Sequence, residues 1–547
     1  MKPNRNEWIL RGAILVAFVV TIALPFMLRK EGEVMSEADD TVIVVTPHNE
    51  AIRLEFGRGF QKWYQARTDR TVYVDWRVVG GTAEITRYLA GEYLTTFRLH
   101  WERELGRAWG NTVLSSFANF RVEVDDSPEN DTEAEAARRA FLESEVSSGL
   151  DVFFGGGSFD FIRQARAGRL VKSGVMDLHP DWFTEDVIPQ SYNGEPFTGP
   201  EGRWLGAVLA SFGIIHNTDA FARLGIKTPP TRWSDLADPR LRGEIALADP
   251  TKSGSINKAF EMVVQQAMQE RFRELEAMGA PDSEIEEMAV KEGWIIGLRL
   301  LQILGANARY FTDSSQKVPI DVFQGDSAAG MCIDFYGRYQ AEAVLRREGA
   351  QRVEYLTPPG GSVFSVDPIA MLRGPPNREV ALAFIEFVLS PEGQKLWDYR
   401  IGTPGGPQQF ALRRMPIRKD AYGDAAKKYM SDPTVEPYGP ENDFIYHPSW
   451  TGGLFRELAF AMRAMCLDTH HELARTWKVI LENGTPEEAI EIMTDLSVIN
   501  YEAASGEIKA ALRSPDPIEE IRLAKRLSNH FRDQYRRAEI AARRRGK

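Results

Sequence analysis

Gly243-Glu-Ile-Ala-Leu-Ala-Asp-Pro-Thr-Lys-Ser-Gly-Ser255 is the stretch around which the chain is organised. Ile245 to Ala248 make a short apolar run that reads as a buried strand; Asp249 and Pro250 end it, and Ser253, Gly254 and Ser255 stand where a helix through Met268 begins. A helix N-terminus carries unpaired N–H groups and the positive end of the helix dipole, so two hydroxyls and a glycine there form a receptor for a carboxylate or phosphate. Ordinary N-capping by Ser253 is the competing reading.

The same order of strand, polar loop and helix occurs upstream. Thr41 to Thr46 reads as a strand that breaks at Pro47, with His48 and Asn49 at the entry to an amphipathic helix, Ala51 to Ala66, striped by Ile52, Phe56, Phe60 and Trp63. Thr71 to Val79 reads as a second strand ending in Gly80-Gly81-Thr82 before another helix, and Leu150 to Phe154 as a third ending in Gly155-Gly156-Gly157-Ser158. Such alternation predicts an α/β fold with mostly parallel sheets and ligands at the carboxyl ends of the strands. The triple glycine allows close approach to a ligand, with a tight turn as the equal alternative. Residues 92–148 interrupt the rhythm with an acidic surface elaboration to which no role is assigned.

Trp204 to Asn217 is an apolar run long enough to pass between two lobes, in which His216 reads as a structural partner at a strand end. After a polar helical stretch near 269–291 and an apolar helix, Trp294 to Leu304, a turn and strand lead to Asp334, Phe335, Tyr336, Arg338 and Tyr339. That cluster can grip a polar ligand or form a core edge. Gly360 to Leu372 reads as the strand that returns to the first lobe.

With 547 residues, 43% of them hydrophobic, the chain can fill two or more cores. A net charge of −12 argues against general nucleic-acid binding, which needs a basic face. No G-x-S-x-G, H-E-x-x-H or C-x-x-C constellation is present, so no catalysis is expected, and His470-His471 would point about 100° apart on a helix. The pairing of Cys332 and Cys466 is not readable. Residues 12–28 form an uninterrupted weakly polar-to-apolar segment flanked by Lys2, Arg5 and Arg11 before and Arg29-Lys30 after. It predicts an uncleaved helix in the inner membrane with the body outside, a cleaved signal being the alternative.

The pieces Thr41–Glu50, Gly206–Asp219, Trp233–Gly243, Asp249–Ser255, Gly325–Tyr336 and Pro368–Trp397, above all Ile385-Glu-Phe-Val-Leu-Ser-Pro-Glu-Gly-Gln394, resemble the two-lobe (type II) periplasmic solute-binding proteins of ABC transporters, in the branch that includes ferric-ion-binding proteins. The resemblance implies lobe one at 41–205 plus 360–410, lobe two at 206–359, a mainly helical extension at 411–547 and an anchor or signal with linker at 1–40. It implies no cofactor and no enzyme activity, but capture of a small anionic solute for an ABC permease, with a membrane-tethered sensor as the other use of the fold. Ser253, Gly254 and Ser255 would hold the anionic group, with His48, Asn49, Gly80, Gly81 and Thr82 approaching from lobe one and Asp334 and Tyr336 from lobe two. In iron-binding relatives a histidine and two adjacent tyrosines hold the metal. Here His48 and Tyr336 would serve, but Phe335 stands in place of one phenolate, so ferric iron is the alternative cargo. Beyond 411, Pro517 to Arg545 reads as a helix striped by Ile521, Ala524, Leu527, Phe531 and Tyr535, with a basic last turn that lies on a membrane or packs on the lobes.

Overall fold

The computed structural model describes residues 38–545 except 126, 441 and 515, so the expected membrane segment at 12–28 lies outside the described residues. In chain order the first lobe opens with β1 (Asp40–Val45), α1 (Glu50–Thr68), β2 (Val72–Arg77), α2 (Thr82–Leu99), β3 (Val152–Phe154), α3 (Ser158–Ala167) and β4 (Leu170–Val171). A hairpin of β5 (Ser191–Tyr192) and β6 (Glu195–Pro196) follows, then β7 (Leu205–Ala210). The second lobe begins at β8 (Phe212–Asn217) and continues with β9 (Ile245–Ala248), α4 (Gly254–Ala277), α5 (Asp282–Asn307), β10 (Ala308–Thr312), β11 (Ala329–Ile333), α6 (Asp334–Glu348) and β12 (Val353–Leu356). The chain returns through β13 (Ser365–Leu372), α7 (Arg378–Leu389), α8 (Pro391–Asp398) and β14 (Met415–Pro416).

Two sheets result. The first has the order β14-β7-β13-β3-β1-β2, with β4 on β13; the second is β10-β9-β11-β8-β12. Parallel pairing joins β1 to β2 and β3, and β9 to β10 and β11. The strands that carry the chain between lobes enter antiparallel, β13 against β3 and β7, and β8 against β11 and β12. The sheets are therefore mixed, where the βα rhythm alone predicted mostly parallel ones: a strand arriving from the other lobe carries no crossover helix to force its direction.

The apolar run at 204–217 is two strands in two sheets, broken only at Ser211, whose hydroxyl contacts Asp334 at 3.4 Å. Beyond Met268 the helices differ from the sequence reading: α4 continues to Ala277 and the break falls at Gly279-Ala280-Pro281, where Gly279 takes φ 75° and Pro281 precedes α5. Buried Met268 and Leu275 keep α4 on the core past the expected end.

The acidic segment 92–148 is built on the continuation of α2, whose Phe97 stacks on Phe117 at 4.9 Å and edges onto Phe141 at 5.4 Å, in a core against the first sheet. The C-terminal residues share one hydrophobic core with the second sheet. There α9 (Phe455–Met462) packs on α4, α10 (His470–Glu482) on α5, and α11 (Pro517–Arg545) on α10. Trp477 Nε1 donates to Asn307 Oδ1 at 2.9 Å, Gln302 Nε2 to the Met493 carbonyl at 2.9 Å and to Tyr535 Oη at 3.0 Å. Leu527, Phe531 and Tyr535 of α11 face this core while Arg536, Arg537, Arg543 and Arg544 are exposed, so the helix packs on the protein; Ile521, expected on the buried stripe, is 65% exposed. Among the described residues no helix is long and apolar enough to cross a membrane.

Candidate functional site

Because β1, β2 and β3 are parallel neighbours, their carboxyl ends lie on one edge, and each leads directly into a helix. Asn49 caps α1, its side chain accepting from Ile52 N at 3.1 Å; Gly81 caps α2 and Gly157 caps α3. The loops are in contact: a Cβ on Gly155 (φ 90°) would overlap the His48 ring, and one on Gly156 (φ 110°) the Thr82 methyl. In the second lobe β9 leads to α4, capped by Ser253, whose Oγ accepts from Ile256 N at 3.4 Å. Space is open before both helices, since a Cβ on Gly157 or Gly254 would meet nothing. Phe159, in the first turn of α3, packs at 4.8 Å on Phe455, whose carbonyl accepts from Asn257 in the first turn of α4 at 2.7 Å. Phe455 thus lies between the first turns of α3 and α4.

Next to His48 lies a buried cationic group. Arg414 is wholly buried, with Nη2 on Asp367 at 2.6 Å and Nη1 3.3 Å from His48 Nε2. Its guanidinium carbon lies 4.4 Å from the Phe335 ring and 5.4 Å from Trp397, and its Nε has no hydrogen-bond partner among the described residues. An unpartnered buried guanidinium N–H is costly unless something accepts from it. Burial pushes the His48 imidazole down, and Arg414 adds to that against the pull of Asp367. Burial works to raise Asp367, but Arg414 and His48 outweigh it and hold the carboxylate below its ordinary value. Tyr336 sits 4.2 Å from Phe335, within reach of the charges of Arg414 and Asp367, and burial pushes its phenol up to about 12.

Of the residues singled out in the sequence, His48, Thr82 and Tyr336 join this cluster or its rim, and Ser253, Gly254 and Ser255 form the opposing helix start. Gly80 and Gly81 are exposed beside Glu84, and the Asn49 amide is engaged as a cap. Asp334, expected to meet the ligand, is instead fully buried: it accepts from Phe335 N at 2.8 Å and Arg338 Nη2 at 2.7 Å. Its carboxylate is occupied locally, by the next backbone N–H and by Arg338 one turn along α6. Arg338 likewise turns to Asp334 and to Asp432 at 3.6 Å, and Tyr339 is 54% exposed.

Sequence reasoning missed Arg414 and Asp367. A signal was present for Asp367, a charged residue inside the otherwise apolar strand Ser365 to Leu372; Arg414 lies just before β14 in an Arg413-Arg414 pair that gave none. His216, read as structural, pairs across strands with Glu354 at 3.5 Å and borders a cavity of about 590 Å³ with Phe221 and Ile226. That cavity lies at the amino ends of β9 and β11, opposite to the edge carrying Ser253.

For the iron alternative, among the described residues no group of three His, Cys, Asp or Glu is arranged to hold an ion. One His48 nitrogen, Nε2, faces the Arg414 guanidinium, while Nδ1 has no hydrogen-bond partner among the described residues.

Two mixed α/β lobes, joined by strands that pass directly from one sheet to the other, define a periplasmic binding protein of the two-lobe, type II class. The chain belongs to the family of bacterial extracellular solute-binding proteins, whose model matches residues 146–421. Membership places it in the periplasm. It is 29% identical over 252 residues to an uncharacterised protein of Haemophilus influenzae, covering 45% of this chain and 60% of that one. It is 23% identical over 192 residues to the phosphoglycerate transport regulatory protein PgtC of Salmonella typhimurium, covering 35% of this chain and 40% of the relative. The chain thus spans less than two thirds of the curated relatives it matches. Similar solved structures include AfuA of Actinobacillus pleuropneumoniae with fructose-6-phosphate (16% identity, TM-score 0.43, 80% of this chain and 98% of that one) and iron-bound HitA of Pseudomonas aeruginosa (17%, 0.41, 77% and 98%).

Proposed function

We propose that this protein captures a small anionic solute between its lobes and presents it to an ABC permease in the inner membrane, held near that membrane by residues 12–28. The observation that carries the reading is the buried Arg414 Nε without an acceptor among the described residues, taken together with the α3 and α4 N-termini that open on free space. A carboxylate or phosphate would satisfy all three with charge-assisted hydrogen bonds. Ser253, Gly254 and Ser255 would hold the anionic group from one side, and Gly157 and Thr82 from the other, with Tyr336 and Arg414 at the floor. The likeness to a phosphoglycerate transport regulatory protein supports an anion that carries a phosphate, and supports a second use in which occupancy is reported to a signalling partner. No bond-making step is part of this reading.

A thermal-shift comparison of the soluble part, residues 36–547, tests it with inorganic phosphate, 3-phosphoglycerate, sugar phosphates, dicarboxylates and ferric ion. A ligand at a hundred times its Kd should add about 2.7 kcal/mol. A shift with an organic phosphate or dicarboxylate that vanishes in Arg414→Met supports the reading. A shift with ferric ion alone overturns it in favour of iron transport.

A further inference from the structure

The C-terminal extension does more than cover the second lobe: residues 442–455 touch both lobes at the mouth of their junction. On the first lobe, Asn193 Nδ2 donates to the Asn442 carbonyl at 2.6 Å and Tyr446 N donates to the Asn193 carbonyl at 2.8 Å. Gly194 (φ 78°) lies so close to the Tyr446 carbonyl that any side chain would collide with it. On the second lobe, Gln265 of α4 exchanges two hydrogen bonds of 2.8 Å with the His447 backbone, and Trp450 Nε1 donates to Glu286 at 2.7 Å.

Between these anchors sits a buried ionic cluster whose members come from three places. Lys258 Nζ of α4 is 2.5 Å from Glu195 of the β5–β6 hairpin and 3.0 Å from Glu261 of its own helix, and it lies 3.6 Å over the Tyr446 ring. Glu261 also accepts from Tyr446 Oη at 2.9 Å and Thr451 Oγ1 at 2.6 Å. Glu195 and Glu261 side chains are each 1% exposed. Separating the lobes would part Glu195 from Lys258 and break the hydrogen bonds that tie residues 442–446 to Asn193.

We propose that residues 442–455 are a strap that keeps the lobes joined whether or not solute is present, with Lys258 as its bolt, and that solute enters past Phe159 and Phe455. The part concerning solute rests on the function proposed above; the strap itself does not. Whole-lobe hinge opening is then suppressed, and the extension, through the half-buried Phe455, sets the size of solute admitted.

The test uses the full chain without any solute. Spin labels at Arg87→Cys and Arg346→Cys, exposed on α2 and α6, report the distance between lobes by pulsed electron paramagnetic resonance, while native Cys332 and Cys466 are buried and stay unlabelled. A single narrow distance distribution is expected, gaining a second, longer population in the Glu195→Gln, Lys258→Met double variant. A broad distribution with an open population in the unmodified strap, or an unchanged narrow one in the double variant, overturns the strap. If the double variant does not fold, Phe455→Ala and Tyr446→Ala together replace it with the same two outcomes. Because no solute is added, failure of the anion reading leaves these results unaffected.

Discussion

Arg414 Nη1 lies 3.3 Å from His48 Nε2 while Nη2 of the same guanidinium holds Asp367 at 2.6 Å, so the residue expected to ligate a metal shares its nitrogen with a permanent cation. In the proposed anion site this buried guanidinium is the principal positive charge of the first-lobe side. Replacing Arg414 with Met should weaken binding of the anionic solute about 10- to 100-fold, the size of one charge-assisted hydrogen bond with its desolvation. Isothermal calorimetry with the best ligand of the thermal-shift comparison measures it, and an affinity within two-fold of the unmodified protein would remove Arg414 from the site.

The serines before α4 can be separated by what each alters. Ser253 caps the helix, so Ser253→Ala should cost about 1 kcal/mol in urea unfolding. Ser255 accepts no such capping bond, and Ser255→Ala should leave stability nearly unchanged while lowering solute affinity roughly 5-fold, the worth of one hydrogen bond.

Gly155 is required by both its backbone and its neighbour. Gly155→Ala would place a methyl group in the His48 ring at a left-handed φ of 90°, and should cost roughly 2–4 kcal/mol, read as a lower denaturation midpoint. Gly254→Ala, which meets open space, should leave the midpoint nearly where it was.

Asp398 supplies a pH signature. Burial, then the neighbouring Asp432, push its carboxyl well above the ordinary range against the pull of Arg338. A group whose pKa is raised in the folded state gives stability that is complete below the unfolded carboxyl pKa of about 4 and is lost as pH rises. Asp398→Asn should therefore match the unmodified protein near pH 4 and exceed it at pH 8 in urea midpoint. Equal pH dependence in both would mean that Asp398 ionises freely.

Removing residues 454–545 should not leave a folded pair of lobes. Trp294 Nε1 donates to the Ile499 carbonyl at 2.9 Å, and the core of the second sheet continues through Phe460, Ile480 and Phe531 without a boundary. The expected outcome is an insoluble product or one without a cooperative unfolding transition, seen by circular dichroism. A soluble, cooperatively folding product would show the extension to be a separate unit.

The features that can be read without the fold are local. Alternating strands and amphipathic helices, a Pro or Gly at their ends and a serine before Gly254 depend on residues a few positions apart, so β9, the start of α4 and the span of α11 are legible at once. A passage between lobes was legible too, as one long apolar run from Trp204 to Asn217, but its division into two strands at Ser211 was not. The long-range charge pairs needed the tertiary structure. His48 and Arg414 are separated by 366 positions, whereas Asp334 and Arg338 stand one turn apart on α6 and their pairing was open to a local reading. Burial then fixes the outcome: once water is excluded each charge must find a partner, and which partner is at hand depends on the register of strands that arrive from the other lobe.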